Sequence, residues 1–320
     1  MRTQRYFIFT FLLFLSTANA ETHLSLDEQY ILKSEYPMRE IDGYLIYSRY
    51  DKTGNSKEII SLDPLTKKEE ILVSGEHEAI FVAKNEEHIV YFDYRYDRSA
   101  SPLLLSRVSD SKIIGKIKLH MYPHYSFLKN KELLVVEEGG GVLEPTTHAA
   151  FFTVPDLKFK KEVEIFGDGT VISINNIFVS LGRDKVYLYD DGMNLLRSDT
   201  VPKESSEYSA CTPRQILKIS NNRVAFTKCY DLYTYDLNTF EVKKILMMGG
   251  FYIYASDGRY MYAFPTDVNA SLKAKLFRIS DNKLLSEISG LANYVLVKNN
   301  KIITLNFEKN NANISIFSLN

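Results

Sequence analysis

The chain contains no tryptophan and only two cysteines among 320 residues, and its charges nearly cancel, leaving a formal net charge of −1. Each shortage removes a class of reading. Balanced charge offers no basic face to steer the protein to nucleic acid or to an anionic membrane surface. Beyond residue 20 no apolar stretch approaches the roughly 20 residues that a membrane-spanning helix needs, so no membrane span is expected. Signatures of self-contained catalysis are also missing: there is no nucleophile elbow, phosphate loop, zincin helix or cysteine–histidine pair. No catalytic residue is assigned and no metal site is expected. His120 and His124 have a spacing that suits metal ligands on a helix, but Pro123 between them makes the segment an extended loop.

The one long apolar stretch is at the start. Arg2 and Arg5 precede an apolar segment from Tyr6 to Leu15, and Ala18-Asn19-Ala20 supplies a small-x-small cleavage pattern. This reads as a secretory signal over 1–20, with a mature chain of 21–320 that is periplasmic or secreted. That compartment permits disulfides, and Cys211 and Cys229, 18 residues apart, are expected to form a structural bridge rather than a metal or redox pair.

What remains is a repeat. An apolar strand, a polar turn and a second strand recur at Glu58–Asp63, Leu103–Val108, Ala149–Val154, Lys185–Asp190, Asp231–Asp236, Lys275–Ser280 and Asn313–Ser318. Aligned on Leu62, Val108, Val154, Tyr189, Tyr235, Ile279 and Phe317, the period is roughly 35 to 46 residues, the spacing of four-stranded blades. The pattern predicts an all-β, seven-bladed β-propeller built as a single domain, with a β-sandwich or solenoid as the alternative. The 22 tyrosines and 19 phenylalanines suit its half-buried pleated surfaces.

The last copy lacks an outer strand, because the chain stops at Asn320, whereas a spare strand at Gln29–Lys33 precedes a first blade beginning near Pro37. An open sheet edge is a liability that propellers remove by letting one terminus complete the other's blade. Tyr30-Ile31-Leu32 is therefore expected to pair with the Ile314–Phe317 strand.

The a–b turns, such as Asn175-Asn176 and Asn299-Asn300, are short, whereas the opposite face carries longer segments at 94–102, 138–147, 202–214 and 265–274. Long loops on a rigid scaffold are where binding concentrates, so that face over blades 2 to 6 is the expected site. Glu137 and Glu138 lead into a triple glycine, with His148 opening the next strand. They could flank a ligand, or form a solvated hairpin loop. Tyr94, Tyr96 and Arg98 combine aromatic and cationic side chains favoured at protein contacts, although a half-exposed strand explains them equally. Arg183 lies in the tight Gly182-Arg183-Asp184 turn aimed at the same face. The sequons Asn269-Ala-Ser271 and Asn313-Ile-Ser315 are read as chance matches.

The layout resembles the exported propellers of periplasmic amine dehydrogenases, in particular the β subunit of quinohaemoprotein amine dehydrogenase. It is similar more distantly to the methylamine dehydrogenase heavy chain and to YVTN-type repeats. The features concerned are Gln29-Tyr-Ile-Leu32, the long loop after Val136-Glu137, Leu181-Gly182-Arg183-Asp184, and Lys244-Ile-Leu-Met-Met248 leading into Phe251-Tyr-Ile-Tyr254. The resemblance implies a propeller that binds no cofactor itself and docks protein partners, with haem and a quinone cofactor carried by those subunits. The expectation is a non-catalytic binding or scaffold subunit. The alternative is a stand-alone extracytoplasmic enzyme, a lactonase or glycan-acting hydrolase, binding a small molecule at the channel mouth.

Overall fold

The computed structural model describes residues 24–33, 35–41, 43–50, 57–75, 79–93, 102–110, 112–118, 123–129, 131–137, 146–167, 170–202, 213–228, 231–247, 252–266, 272–308 and 311–319. These form 28 strands in seven four-stranded antiparallel sheets, the blades of a propeller. The expected strands of blade 2 are present as Ala79–Lys84, His88–Asp93, Pro102–Arg107 and Ile113–Lys118. The innermost strand is lettered a and the outermost d.

Burial explains why the repeat is legible. Strand d is the exposed rim, as in Leu195–Thr200, where side chains are open to solvent at nearly every position. Strands b and c are covered on both faces by the neighbouring blades. Strand c of blade 5, Asp231–Asp236, is accordingly buried at five consecutive positions, and the period-two alternation of a half-exposed strand disappears there. Every seam between neighbouring blades holds one apolar cluster. Val90, Leu103 and Leu105 meet Leu133, Val135 and Phe152 between blades 2 and 3, and Leu45, Tyr47 and Ile60 meet Ile303, Leu305 and Ile314 where blade 1 closes on blade 7. Each such leucine or isoleucine, taken fully out of water, contributes roughly 1.5–3 kcal/mol.

Turn chemistry repeats as well. Asn175-Asn176 and Asn299-Asn300 each supply two consecutive left-handed residues, which is what a two-residue hairpin turn requires. The c–d turns of blades 1, 4 and 5 start on an aspartate that caps backbone N–H groups. Asp63 accepts from Leu65 and Thr66, Asp190 from Gly192 and Asn194, and Asp236 from Asn238 and Thr239.

Tyrosine hydroxyls bolt blades together. Tyr235 of blade 5 donates to Asp199 of blade 4 at 2.5 Å, and Tyr189 of blade 4 both accepts from the Phe166 N–H and donates to the Phe166 carbonyl of blade 3. Burial, before any other cause, raises both phenols well above their ordinary range and keeps them protonated donors.

The ring closes as expected, with one correction. The closing strand is longer than Gln29–Lys33, running over Leu24–Lys33, and it completes blade 7 outside Asn311–Leu319. The register, which the sequence left open, sets Tyr30, Ile31 and Leu32 opposite Ile314, Asn313 and Ala312, and Glu28 and Leu26 opposite Ile316 and Phe317. This register allows Tyr30 to reach blade 1, where its hydroxyl donates to the Pro64 carbonyl at 2.9 Å. It also places Asp27 against Lys301 at 2.8 Å and against the Ser318 hydroxyl.

Candidate functional site

The b–c connections and d–a crossovers share one face of the disc, the face expected to bind. Of the residues singled out there, Tyr94, Tyr96, Arg98 and Glu138 lie outside the described residues, as do His120, Cys211 and Cys229, whereas the backbone of His124 falls in strand a of blade 3 (Pro123–Lys129) rather than in a loop. Glu137, His148 and Arg183 can be placed.

Blade 3 brings two of them together. Glu137 ends strand b (Glu132–Glu137), and the antiparallel register sets it directly opposite His148 of strand c (Thr146–Thr153). On its other side His148 faces Glu164 of strand d (Phe159–Phe166). The imidazole Nδ1 lies 2.7 Å from Glu162 Oε1, one diagonal step along that outer strand, and both side chains are about two-fifths exposed. The histidine is therefore engaged towards the rim of the disc, two strands out from the channel.

The seam between blades 3 and 4 carries an aromatic patch. Phe166, exposed at the end of strand d, stacks on Tyr187 of blade 4 with ring centroids 5.5 Å apart and planes 23° from parallel. Its backbone is pinned by the two Tyr189 contacts and by the Ser180 hydroxyl, which donates to the Phe166 carbonyl at 3.1 Å. Gly167 follows with a φ of 125°, and a Cβ there would lie 2.2 Å from Ser180 Oγ, so only glycine makes this turn. Tyr187 lies equally close to Gly182, where a Cβ would come within 2.8 Å of the ring. The tight Gly182–Asp184 turn that positions Arg183 thus also makes room for the aromatic platform.

Beyond Arg183, the seam between blades 4 and 5 is charged. Lys228, at the end of strand b (Arg223–Lys228), is buried and lies 2.8 Å from Asp184 Oδ1. Its cross-strand neighbour Asp231 is buried too and pairs with Lys244. Each pair joins one buried member to one about two-fifths exposed, and losing its partner would leave the buried charge unsatisfied, so this network fixes the turn holding Arg183. Among the described residues no three His, Cys, Asp or Glu side chains are grouped to hold a metal ion. Glu162, Phe166, Tyr187, Lys228 and Asp231 were not singled out in sequence. Each sits in an ordinary strand pattern, and only cross-strand or cross-blade register brings it to the face.

No family model and no curated sequence matches the chain. Similarity to solved structures is extensive but distant. Kluyveromyces lactis Hsv2 is 11% identical with a TM-score of 0.57, covering 87% of this chain and 95% of that one. Hydrazine synthase from Kuenenia stuttgartiensis is 12% identical at 0.58, covering 85% and 92%. An oligogalacturonate lyase from Vibrio parahaemolyticus is also 12% identical at 0.58, covering 86% of each chain. At such identities the likeness establishes the propeller fold and leaves the activity to the site.

Proposed function

We propose that the chain is an exported, non-catalytic propeller that binds partner proteins through the face carrying His148, Phe166 and Arg183. The observation that supports this most is the exposed Phe166–Tyr187 stack. A pre-ordered aromatic pair beside a cation and an ion pair is the composition of a protein-contact hot spot, and its glycine-locked backbone lowers the ordering cost of association. In its most specific form, resting on the sequence resemblance, the protein is the propeller subunit of a periplasmic amine dehydrogenase whose haem and quinone reside on partner subunits. The stand-alone hydrolase reading needs Glu137, Glu138 and His148 to converge at the channel mouth. His148 bonded to Glu162 of the outer strand favours the binding role instead.

Affinity purification of the tagged protein from its native host tests the proposal. Stoichiometric partners that are lost with Phe166→Ala, while the variant keeps its unfolding midpoint, are the expected result. Haem absorbance and amine-dependent dye reduction in the same fraction would support the specific form. Turnover of lactones or glycans by the isolated chain, abolished by His148→Ala, would overturn the binding role.

A further inference from the structure

The opposite face, which carries the a–b and c–d turns, contains a groove of about 470 Å³ between blades 2 and 3. That is within the roughly 300–1,000 Å³ typical of small-molecule sites. Its apolar floor is Ile114, Val154 and Pro155, and polar groups from both blades converge on it: His88, Arg107 and Lys131. The walls are built the same way on each side. The Val108 N–H donates to the Glu87 carbonyl at 2.9 Å in blade 2, and the Val154 N–H donates to the Lys131 carbonyl at 2.8 Å in blade 3. Gly115 lets the walls meet below, since a Cβ there would lie 2.8 Å from Leu157 Cδ1.

His88 lines the groove at the a–b turn of blade 2. Its Nδ1 is buried and has no hydrogen-bond partner among the described residues, and the nearest carboxylate oxygen, on the solvent-exposed Glu87, is 3.8 Å away. That nitrogen has no surface of its own open to the groove, so the ring walls the site and reports on what binds there. The other polar groups favour an anion. The Asp156 carboxylate is already occupied by the Thr153 hydroxyl and Lys158, which hold it below its usual range. Arg107 gives one N–H to Asp110 at 3.0 Å, leaving the rest of its five-donor fork, and Lys131 adds an ammonium.

We propose that this groove is a binding site for a small organic carboxylate with an apolar body. The carboxylate is held by Arg107 and Lys131 beside the His88 ring, and the body lies on Ile114, Val154 and Pro155. The site is separate from the partner-binding face and does not depend on it.

The test uses the mature chain labelled with ¹³Cε1-histidine, with His88 assigned by His88→Gln and benzoate as the probe. A saturable shift of the His88 signal at about millimolar benzoate is expected, with His148 unmoved. Benzylamine should produce no shift. Arg107→Gln combined with Lys131→Gln should weaken binding at least about tenfold, the factor for about 1.4 kcal/mol of lost charge-assisted hydrogen bonding. An unchanged His88 signal, or an equal response to benzylamine, would overturn the assignment. Circular dichroism and the urea midpoint show whether each variant is folded. Should the double variant unfold, Lys131→Gln alone, on an exposed side chain, carries the same comparison.

Discussion

Removing residues 24–33 from the mature chain strips the outer strand from blade 7 and unlatches the ring, and the size of the effect can be worked from the side chains. Leu24 is buried in the seam between blades 6 and 7, while Tyr30 and Leu32 pack half-buried against the seam between blades 7 and 1. Full burial of Leu24 contributes roughly 1.5–3 kcal/mol and each half-buried side chain about half as much. Backbone pairing nets about 0.5–1.5 kcal/mol per hydrogen bond, close to the 1–2 kcal/mol cost of ordering each residue, so those two contributions nearly cancel. The expected loss is about 4 kcal/mol, a large part of the 5–15 kcal/mol typical of a domain. Urea unfolding of the intact and truncated chains measures it. A synthetic 24–33 peptide should restore about 2.7 kcal/mol at a hundredfold excess over its dissociation constant. Ile31→Ala is the control: that side chain points outward at 67% exposure and should change stability by less than about 0.5 kcal/mol. A truncated chain within about 1 kcal/mol of the intact one, indifferent to the peptide, would refute closure by this strand.

Tyr235→Phe should cost about 1.5–3 kcal/mol at neutral pH through the lost bond to the Asp199 carboxylate. Burial of Asp199 opposes its ionisation, but hydrogen bonds from Arg197 and Tyr235 outweigh it and hold the folded carboxyl below its ordinary value. Stability from such a group is present above the unfolded pKa near ~3.9 and is lost as pH falls through the lower folded value. The gap between wild type and Tyr235→Phe should therefore narrow below about pH 4 in acid titrations of the urea midpoint. Gly167→Ala should destabilise by about 3 kcal/mol, because the φ of 125° and the Ser180 contact both oppose a Cβ; an unchanged midpoint would contradict the turn described. Asp184→Ala, which removes a half-exposed carboxylate from the buried Lys228, should cost about 1–3 kcal/mol, whereas Lys228→Met should cost clearly less. Equal losses would mean that Lys228 is held by another group.

How much of this was legible in sequence follows from what each feature depends on. Asn175-Asn176 was readable as a turn because two left-handed residues in succession favour asparagine at that place whatever surrounds them. The closing strand was readable as a spare copy, but its register was not. Placing Tyr30 opposite Ile314 depends on the reach of its hydroxyl to Pro64 on another blade. His148 was picked out for its chemistry, yet its partner Glu162 looks in sequence like one more charge on an exposed strand. The groove of blades 2 and 3 left no trace, since its residues come from four separate turns and strand ends with no common motif.

One repeated feature shows where the boundary lies. In all seven blades the ladder between strands c and d skips one residue of strand d: Asp27, Leu72, Ile114, Lys160, Leu196, Ile245 and Leu285. Five of the seven are leucine or isoleucine and two are charged, types that occur throughout these strands, so nothing in composition marks the bulge. Its recurrence in Leu24–Lys33 makes that strand a true outer strand despite its place at the opposite end of the chain. Sequence by itself determined the blade count, the strand order and the turns, because those follow from local apolar periodicity and backbone preference. Tertiary structure alone decided the closing register, the cross-blade bonds and the side chains gathered on each face, because those depend on how separate strands twist, bulge and meet around the ring.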